Sequence, residues 1–129
     1  MFEVTLPYPI SVNAAYRNAS RVEVARGTRG RIKTRAYMTW QRAAGWDIQA
    51  ALRDLPPVPG PVKVTIEVVR PDRRRRDLDN LPKAILDTLV DLRVMEDDRH
   101  VDELNMRWLD EAEFKGCRVT VESIARAAA

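Results

Sequence analysis

At 129 residues and a net charge of +3, the chain has the size of one domain built on one hydrophobic core, and residues 1–129 are assigned to it. Three Trp, three Tyr and two Phe within a 45% hydrophobic composition exclude wholesale disorder, and no apolar run is long enough for a helical membrane span. The lone Cys117 excludes an internal disulfide and reads as a small core residue, which suits a reducing compartment.

The opening Met1-Phe-Glu-Val-Thr-Leu-Pro lacks the basic and apolar regions of a secretion signal, so a cytoplasmic protein is expected. Phe2, Val4 and Leu6 alternate with Glu3 and Thr5, the period of a strand with one buried face. Pro7 and Pro9 end that strand, and Ser11 to Tyr16 is expected to be an irregular turn. Arg17 to Arg35 is the most basic part, with seven Lys/Arg against Glu23 alone. Gly27 and Gly30 flank a turn, with Val22 and Val24 before it and Ile32 after it, which predicts a short hairpin with a flexible tip. Such a segment is either an arm that tracks nucleic-acid phosphates or a solvated loop.

Thr34 is placed to accept from the first free N–H groups of a helix over 35–53. Tyr37, Trp40, Ala44, Ile48 and Ala51 recur at helical spacing, and both Trp40 and Trp46 are assigned to the core rather than to base stacking. A proline-rich connector over 54–61 leads to a β-branched strand, Val62 to Val69, with Val62, Val64, Ile66 and Val68 on one face. Leu81, Ile85, Leu89 and Leu92 mark a helix over 80–93. Pro82 is tolerated only in its first turn, which makes Asp79 or Asn80 the expected N-cap. Strands are expected at Val101 to Leu109 and Arg118 to Ile124, and the tail at Ala127–Ala129 is expected to fray. The order predicts an α+β fold: a single domain with a mixed β-sheet packed against two main helices.

The net charge conceals an asymmetry. Residues 1–76 hold 15 Lys/Arg and 6 Asp/Glu, whereas 77–113 hold 4 and 12. A basic first part suits a polyanion, and a compact acidic segment suits a metal cation. The two meet in Pro71-Asp-Arg-Arg-Arg-Arg-Asp-Leu-Asp-Asn-Leu-Pro-Lys83. In an extended segment Asp77 and Asp79 point the same way and can face one hard cation, which prefers oxygen ligands and keeps several waters. Asp97 and Asp98 join them only if the chain folds back after the helix, a distance of roughly 20 Å. Lys83 could steady a scissile phosphate, orient a water or stabilise the leaving oxygen. Arg73, Arg74, Arg75 and Arg76 could grip adjacent phosphates, giving affinity rather than sequence preference. The competing structural reading has Asp79 capping the helix, Asp77 paired with an arginine and Glu96 to Asp98 in a solvated turn. His100 reads as a surface or satisfied residue rather than a base. No Cys/His metal spacing, glycine-rich phosphate loop or Ser/His/Asp set is present in the sequence.

This central stretch resembles the signature of the RusA family of Holliday junction resolvases. The likeness continues through Ile85-Leu-Asp87, Glu96-Asp-Asp98 and Val101, and at the start through Val4-Thr-Leu-Pro-Tyr-Pro9, Asn13 and Tyr16. Val22 to Arg35 lies outside it. The resemblance implies a homodimeric, Mg²⁺-dependent endonuclease, with Mn²⁺ an admissible substitute, that cuts four-way DNA junctions symmetrically in recombination and repair in a bacterial or phage-infected cell. It places metal ligands at Asp77, Asp79 and Asp98 and an essential lysine at Lys83, with Asp97 a weaker candidate. Two other readings stay open: a non-catalytic DNA-binding module with structural carboxylates, and a metal-dependent nuclease for flap or other branched DNA.

Overall fold

The computed structural model describes residues 1–124; the tail at Ala127–Ala129 lies outside them. Strand β1 (Phe2–Leu6) buries Phe2, Val4 and Leu6 and exposes the residues between, as its period demands. Ser11 to Ala15 is more regular than expected: the Ser11 side chain accepts from Ala14 N and starts a short helix, α1 (Val12–Ala15). The basic segment does form a hairpin, but its strands are β2 (Tyr16–Asn18) and β3 (Arg31–Lys33), paired antiparallel. Val22 and Val24, expected to precede the turn, lie instead in a helix, α2 (Arg21–Ala25), and are exposed. The physical reason is a capping box. Ser20 Oγ accepts from Glu23 N, and the Glu23 carboxylate accepts from Ser20 N, so local side chains satisfy backbone donors that a strand would have to pair. Arg17 adds a bidentate pair to Glu23, at 2.7 and 3.0 Å.

Thr34 caps α3 (Arg35–Leu52) as predicted, accepting from Tyr37 N, and its hydroxyl donates to Ala14 O at 2.7 Å, tying the hairpin to α1. Tyr37, Trp40, Ala44 and Ile48 are buried on its inner stripe, whereas Trp46 is 72% exposed. The assignment of Trp46 to the core is therefore corrected. Two positions past Ala44 is about 200° around a helix, so Trp46 projects away from the stripe. Arg53 takes a left-handed conformation that ends α3.

Strand β4 (Val62–Val69) lies at the centre of the sheet, whose order is β1-β6-β4-β5. It pairs in parallel with β5 (Val101–Leu109) and antiparallel with β6 (Cys117–Ser123), which in turn pairs antiparallel with β1. A parallel pair needs a crossover, and α4 (Pro82–Asp91) supplies it. The helix begins two residues later than expected. Asp79 and Asn80 sit in a single 3-10 turn, Leu78–Asn80, and Leu81 takes the N-cap position without a side-chain bond. Neither Asp79 nor Asn80 caps the helix. The core joins Val4, Leu6, Val64, Ile66, Val119 and Val121 of the sheet to Tyr37, Ile48, Ile85 and Leu89 of α3 and α4. Each such side chain contributes about 1.5–3 kcal/mol of burial. Cys117 belongs to this core, as expected. No helix among the described residues is long and apolar enough to cross a membrane.

The opposite face of the sheet carries Lys63, Thr65 and Glu67 on β4. Glu67 is only 7% exposed although it lies on the polar side. Its cover is two guanidiniums: Arg107 Nε donates to Oε2 at 3.0 Å, and Arg118 Nη2 to Oε1 at 2.7 Å. Arg107 first and Arg118 second hold the Glu67 carboxyl below its ordinary value. A depressed folded pKa contributes stability that is fully present above the ordinary value of 4.5 and is lost as pH falls through the folded value. Glu67→Gln is expected to cost about 1–2 kcal/mol at pH 7 in urea unfolding, and the gap between variant and wild type should close in acid.

Candidate active site

The arginine run is folded by its own aspartate. Asp72 accepts from Arg74 N at 2.9 Å and from Arg76 Nη2 at 2.6 Å. Arg76, then the Arg74 N–H, hold the Asp72 carboxyl below its ordinary value. The Arg76 guanidinium also lies over the Tyr8 ring, 5.7 Å from its centroid. Arg76 thus braces the loop, and Arg73, Arg74 and Arg75 stand exposed from it. Burial raises the pKa of the Tyr8 phenol, and Arg76 opposes that by charge. The Tyr8 hydroxyl nevertheless lacks an aligned hydrogen bond among the described residues. Tyr8 and Arg76 join Asp77, Asn80 and Leu81 in lining a groove of about 340 Å³.

Asp77 and Asp79 have no structural employment. Both are exposed, and among the described residues neither forms an ion pair or a side-chain hydrogen bond. The arginine that might have neutralised Asp77 is taken by Asp72. The competing reading, in which Asp79 caps a helix and Asp77 pairs with an arginine, does not describe this loop.

Asp98 is also exposed and begins a second 3-10 turn, Asp98–His100. That turn packs against α4, so the chain does fold back. It returns to the far part of the helix: Asp98 shares a cleft of about 250 Å³ with Tyr16, Lys33, Asp87, Val90 and Asp91. Asp77 and Asp79 lie before the first turn of α4, whose ten residues span about 15 Å. Among the described residues no three acidic, His or Cys side chains are gathered into a ligand set. Asp97 differs from its neighbour. Its carboxylate accepts from Arg99 N at 2.9 Å and Arg99 Nε at 3.1 Å, which hold it well below the usual carboxylate range. His100 is half-buried, and a Cβ on Gly60 would lie 2.7 Å from its side chain, so it packs closely against Gly60, two residues before β4.

Lys83 sits in the first turn of α4, exposed, with Nζ 3.1 Å from Asp87 Oδ2. The same Asp87 oxygen accepts from the Tyr16 hydroxyl at 3.0 Å. Neither Asp87 nor Tyr16 received a role from the sequence. The signal for Asp87 was its place four residues after Lys83 on a predicted helix. Tyr16, which lies 71 residues away from Asp87, enters only through the family likeness, which gives it no role.

The family model described as Endodeoxyribonuclease RusA matches residues 7–122, nearly the whole described chain. The chain belongs to the RusA family of endodeoxyribonucleases. Among its RusA relatives is the crossover junction endodeoxyribonuclease RusA of Escherichia coli strain K12, 40% identical over 102 residues, or 78% of this chain and 76% of that protein. The protein of the same name from Shigella sonnei strain Ss046 is 39% identical, and that of Enterobacteria phage 82 is 38% identical, each over the same shares. RusA membership implies a divalent-metal-dependent nuclease. The residues fit such an ion in kind: Asp77 and Asp79 are exposed oxygen donors with no competing partner, as a hard cation requires.

Proposed function

We propose that this chain, acting as one domain over 1–129, is a Mg²⁺-dependent, structure-selective endodeoxyribonuclease that resolves four-way DNA junctions in the bacterial or phage-infected cytoplasm. The observation that carries the reading is a pair of exposed carboxylates, Asp77 and Asp79, left unpaired beside a loop of exposed arginines. Unneutralised carboxylates repel phosphate, so a purely DNA-binding loop has no use for them. With a divalent ion bound, the same pair becomes an asset.

In this reading Asp77 and Asp79 would hold the ion, and Asp98, which lies beside the far part of α4, would join them only if its turn moves toward them; the bound ion would supply Lewis-acid polarisation of the phosphate and a more acidic water. Arg73, Arg74 and Arg75 bind phosphates flanking the scissile bond, and Arg76 both braces their loop and adds charge. Lys83 donates to the phosphate oxygens that gain charge as the water oxygen bonds to phosphorus and one ester P–O bond breaks. The proton of the water ends on the leaving oxygen. A homodimer would present two such sites to the two strands that must be cut.

The test is cleavage of a labelled synthetic four-way junction with Mg²⁺ or EDTA, beside linear duplex and flap DNA of matched sequence. Paired symmetric cuts in the junction, lost in EDTA, are expected. Tight junction binding without cuts would overturn the nuclease reading in favour of a binding module, and preferential flap cutting would overturn the substrate assignment.

A further inference from the structure

The nuclease reading leaves one requirement open: what keeps the Lys83 ammonium in place. A lysine carries a flexible four-carbon stem, and ordering it costs about 2 kcal/mol of rotamer entropy. A functional group must be held within about 0.5 Å of its productive position, and misplacement by about 1 Å can cost a hundredfold in rate. Lys83 is exposed, with 57% of its side chain accessible.

We infer that Asp87, braced by Tyr16, is the residue that positions the Lys83 ammonium for cleavage; the inference rests on the reading of Lys83 as part of a junction nuclease. Asp87 Oδ2 and Oδ1 lie 3.1 and 3.4 Å from Lys83 Nζ, so the contact is a two-oxygen cradle one helical turn away. As a helix stabiliser the pair stands in the weaker order. Acid-before-base is the favourable order at this spacing, and here the base comes first. Nor is Asp87 a solvated carboxylate: its side chain is 28% exposed, and the Tyr16 hydroxyl donates to it at 3.0 Å.

Tyr16 is itself anchored. Its ring packs edge-on against Tyr37, centroids 5.3 Å apart, and Tyr37 is fully buried in the core. Burial, followed by Tyr37 and Asp87, raises the Tyr16 phenol pKa well above its ordinary value, so the hydroxyl stays a donor at any working pH. A chain of contacts therefore runs from the core through Tyr37, Tyr16 and Asp87 to Lys83. Asp87 and Tyr16 also line the cleft that holds Asp98, so the ammonium is fixed on the side of α4 that faces the second acidic turn. Asp87 differs from Asp77 and Asp79 in that its oxygens already hold two donors. It is a positioning residue, not a catalytic one. Because Tyr16 opens β2, the same chain of contacts mechanically joins the basic β2–β3 hairpin to Lys83.

The experiment uses the full chain labelled with ¹⁵N at its four lysines, Lys33, Lys63, Lys83 and Lys115, with the Lys83 ammonium signal identified by its loss in Lys83→Arg. Asp87→Asn keeps a carbonyl oxygen for the Tyr16 hydroxyl but presents no charge to Lys83. It is expected to abolish the slowly exchanging Lys83 signal and to slow single-turnover junction cleavage at saturating enzyme about tenfold, with junction Kd changed less than about twofold. Asp87→Glu should recover most of the rate, and Tyr16→Phe should fall between it and Asp87→Asn. An Asp87→Asn protein with an unchanged Lys83 signal and unchanged rate overturns the inference. So does a rate loss matched by equal loss of affinity with the signal intact, the mark of a merely structural role. If Asp87→Asn does not fold, Tyr16→Phe carries the same two readouts. Wild type that cuts no junction overturns the function reading and with it the catalytic use of the clamp, while the ammonium signal still decides whether Asp87 holds Lys83.

Discussion

Asp79→Asn is expected to slow junction cleavage by at least about 10³-fold, equivalent to about 4 kcal/mol of transition-state stabilisation, while the protein folds and binds junctions normally. The fold should be indifferent because Asp79 makes no side-chain hydrogen bond or ion pair among the described residues and does not cap α4. Asparagine matches aspartate in shape, so the 3-10 turn has no reason to change. Binding has a definite sign. Without metal, the carboxylate repels DNA phosphate, so in EDTA the variant should bind the junction as tightly as wild type or more so. With Mg²⁺, the wild type gains a neutralising ion that the variant holds poorly, and its advantage appears only in the cleavage step. Single-turnover kinetics with saturating enzyme, run beside a gel-shift titration in EDTA, read the two effects separately. Wild-type cleavage by Asp79→Asn would remove this residue from the ligand set. Loss of binding in proportion to loss of cleavage would make it a structural residue of the loop.

The second large effect falls on the fold. Gly116→Ala is expected to destabilise the protein by about 3–5 kcal/mol, read as a drop in urea midpoint and Tm with little change in m. Gly116 has φ +83°, where a side chain is strained, and that alone costs about 1 kcal/mol. The larger part is steric. A Cβ there would lie 2.1 Å from the carbonyl oxygen of Leu6 and 3.1 Å from Pro7 C and Tyr8 N, all backbone atoms that no rotamer change can move. Gly116 also accepts from Val69 N at 2.9 Å, at the end of β4 that leads into the arginine loop. Displacing it moves Tyr8, on which Arg76 rests, so whatever folds should also bind junctions more weakly. Gly27→Ala is the control. Its φ is +93° but a Cβ there meets nothing within 4 Å, so only the conformational cost of about 1 kcal/mol remains. Equal losses at the two glycines would refute the steric account.

Local pattern carried much of this protein. The alternation of Phe2, Val4 and Leu6, the helical stripe of Tyr37 to Ile48 and the β-branched run Val62 to Val68 each name their own buried face, because one element meets one core. Arg73, Arg74, Arg75, Asp77, Asp79 and Lys83 likewise stay exposed on one stretch of surface, since charged groups close in sequence cannot fold far apart. What failed locally did so where two local signals competed. Ser20 and Glu23 form a capping box that overrode the alternation of Val22 and Val24, and Pro82 moved the helix start past Asp79. Trp46 lies outside the stripe whose spacing names the buried face, about 200° past Ala44, and is exposed.

Other features are long-range by nature. The insertion of β6 between β1 and β4, the burial of Glu67 under Arg107 and Arg118, and the bond from Tyr16 to Asp87 depend on which segments become neighbours. The same holds for the acidic groups. As carboxylates, Asp77, Asp79 and Asp98 could each offer oxygen ligands, which the sequence alone establishes. Only the tertiary structure decided that Asp77 and Asp79 stay unpaired while Asp98 returns beside the far part of α4, because the crossover helix must run the length of the parallel strands it connects.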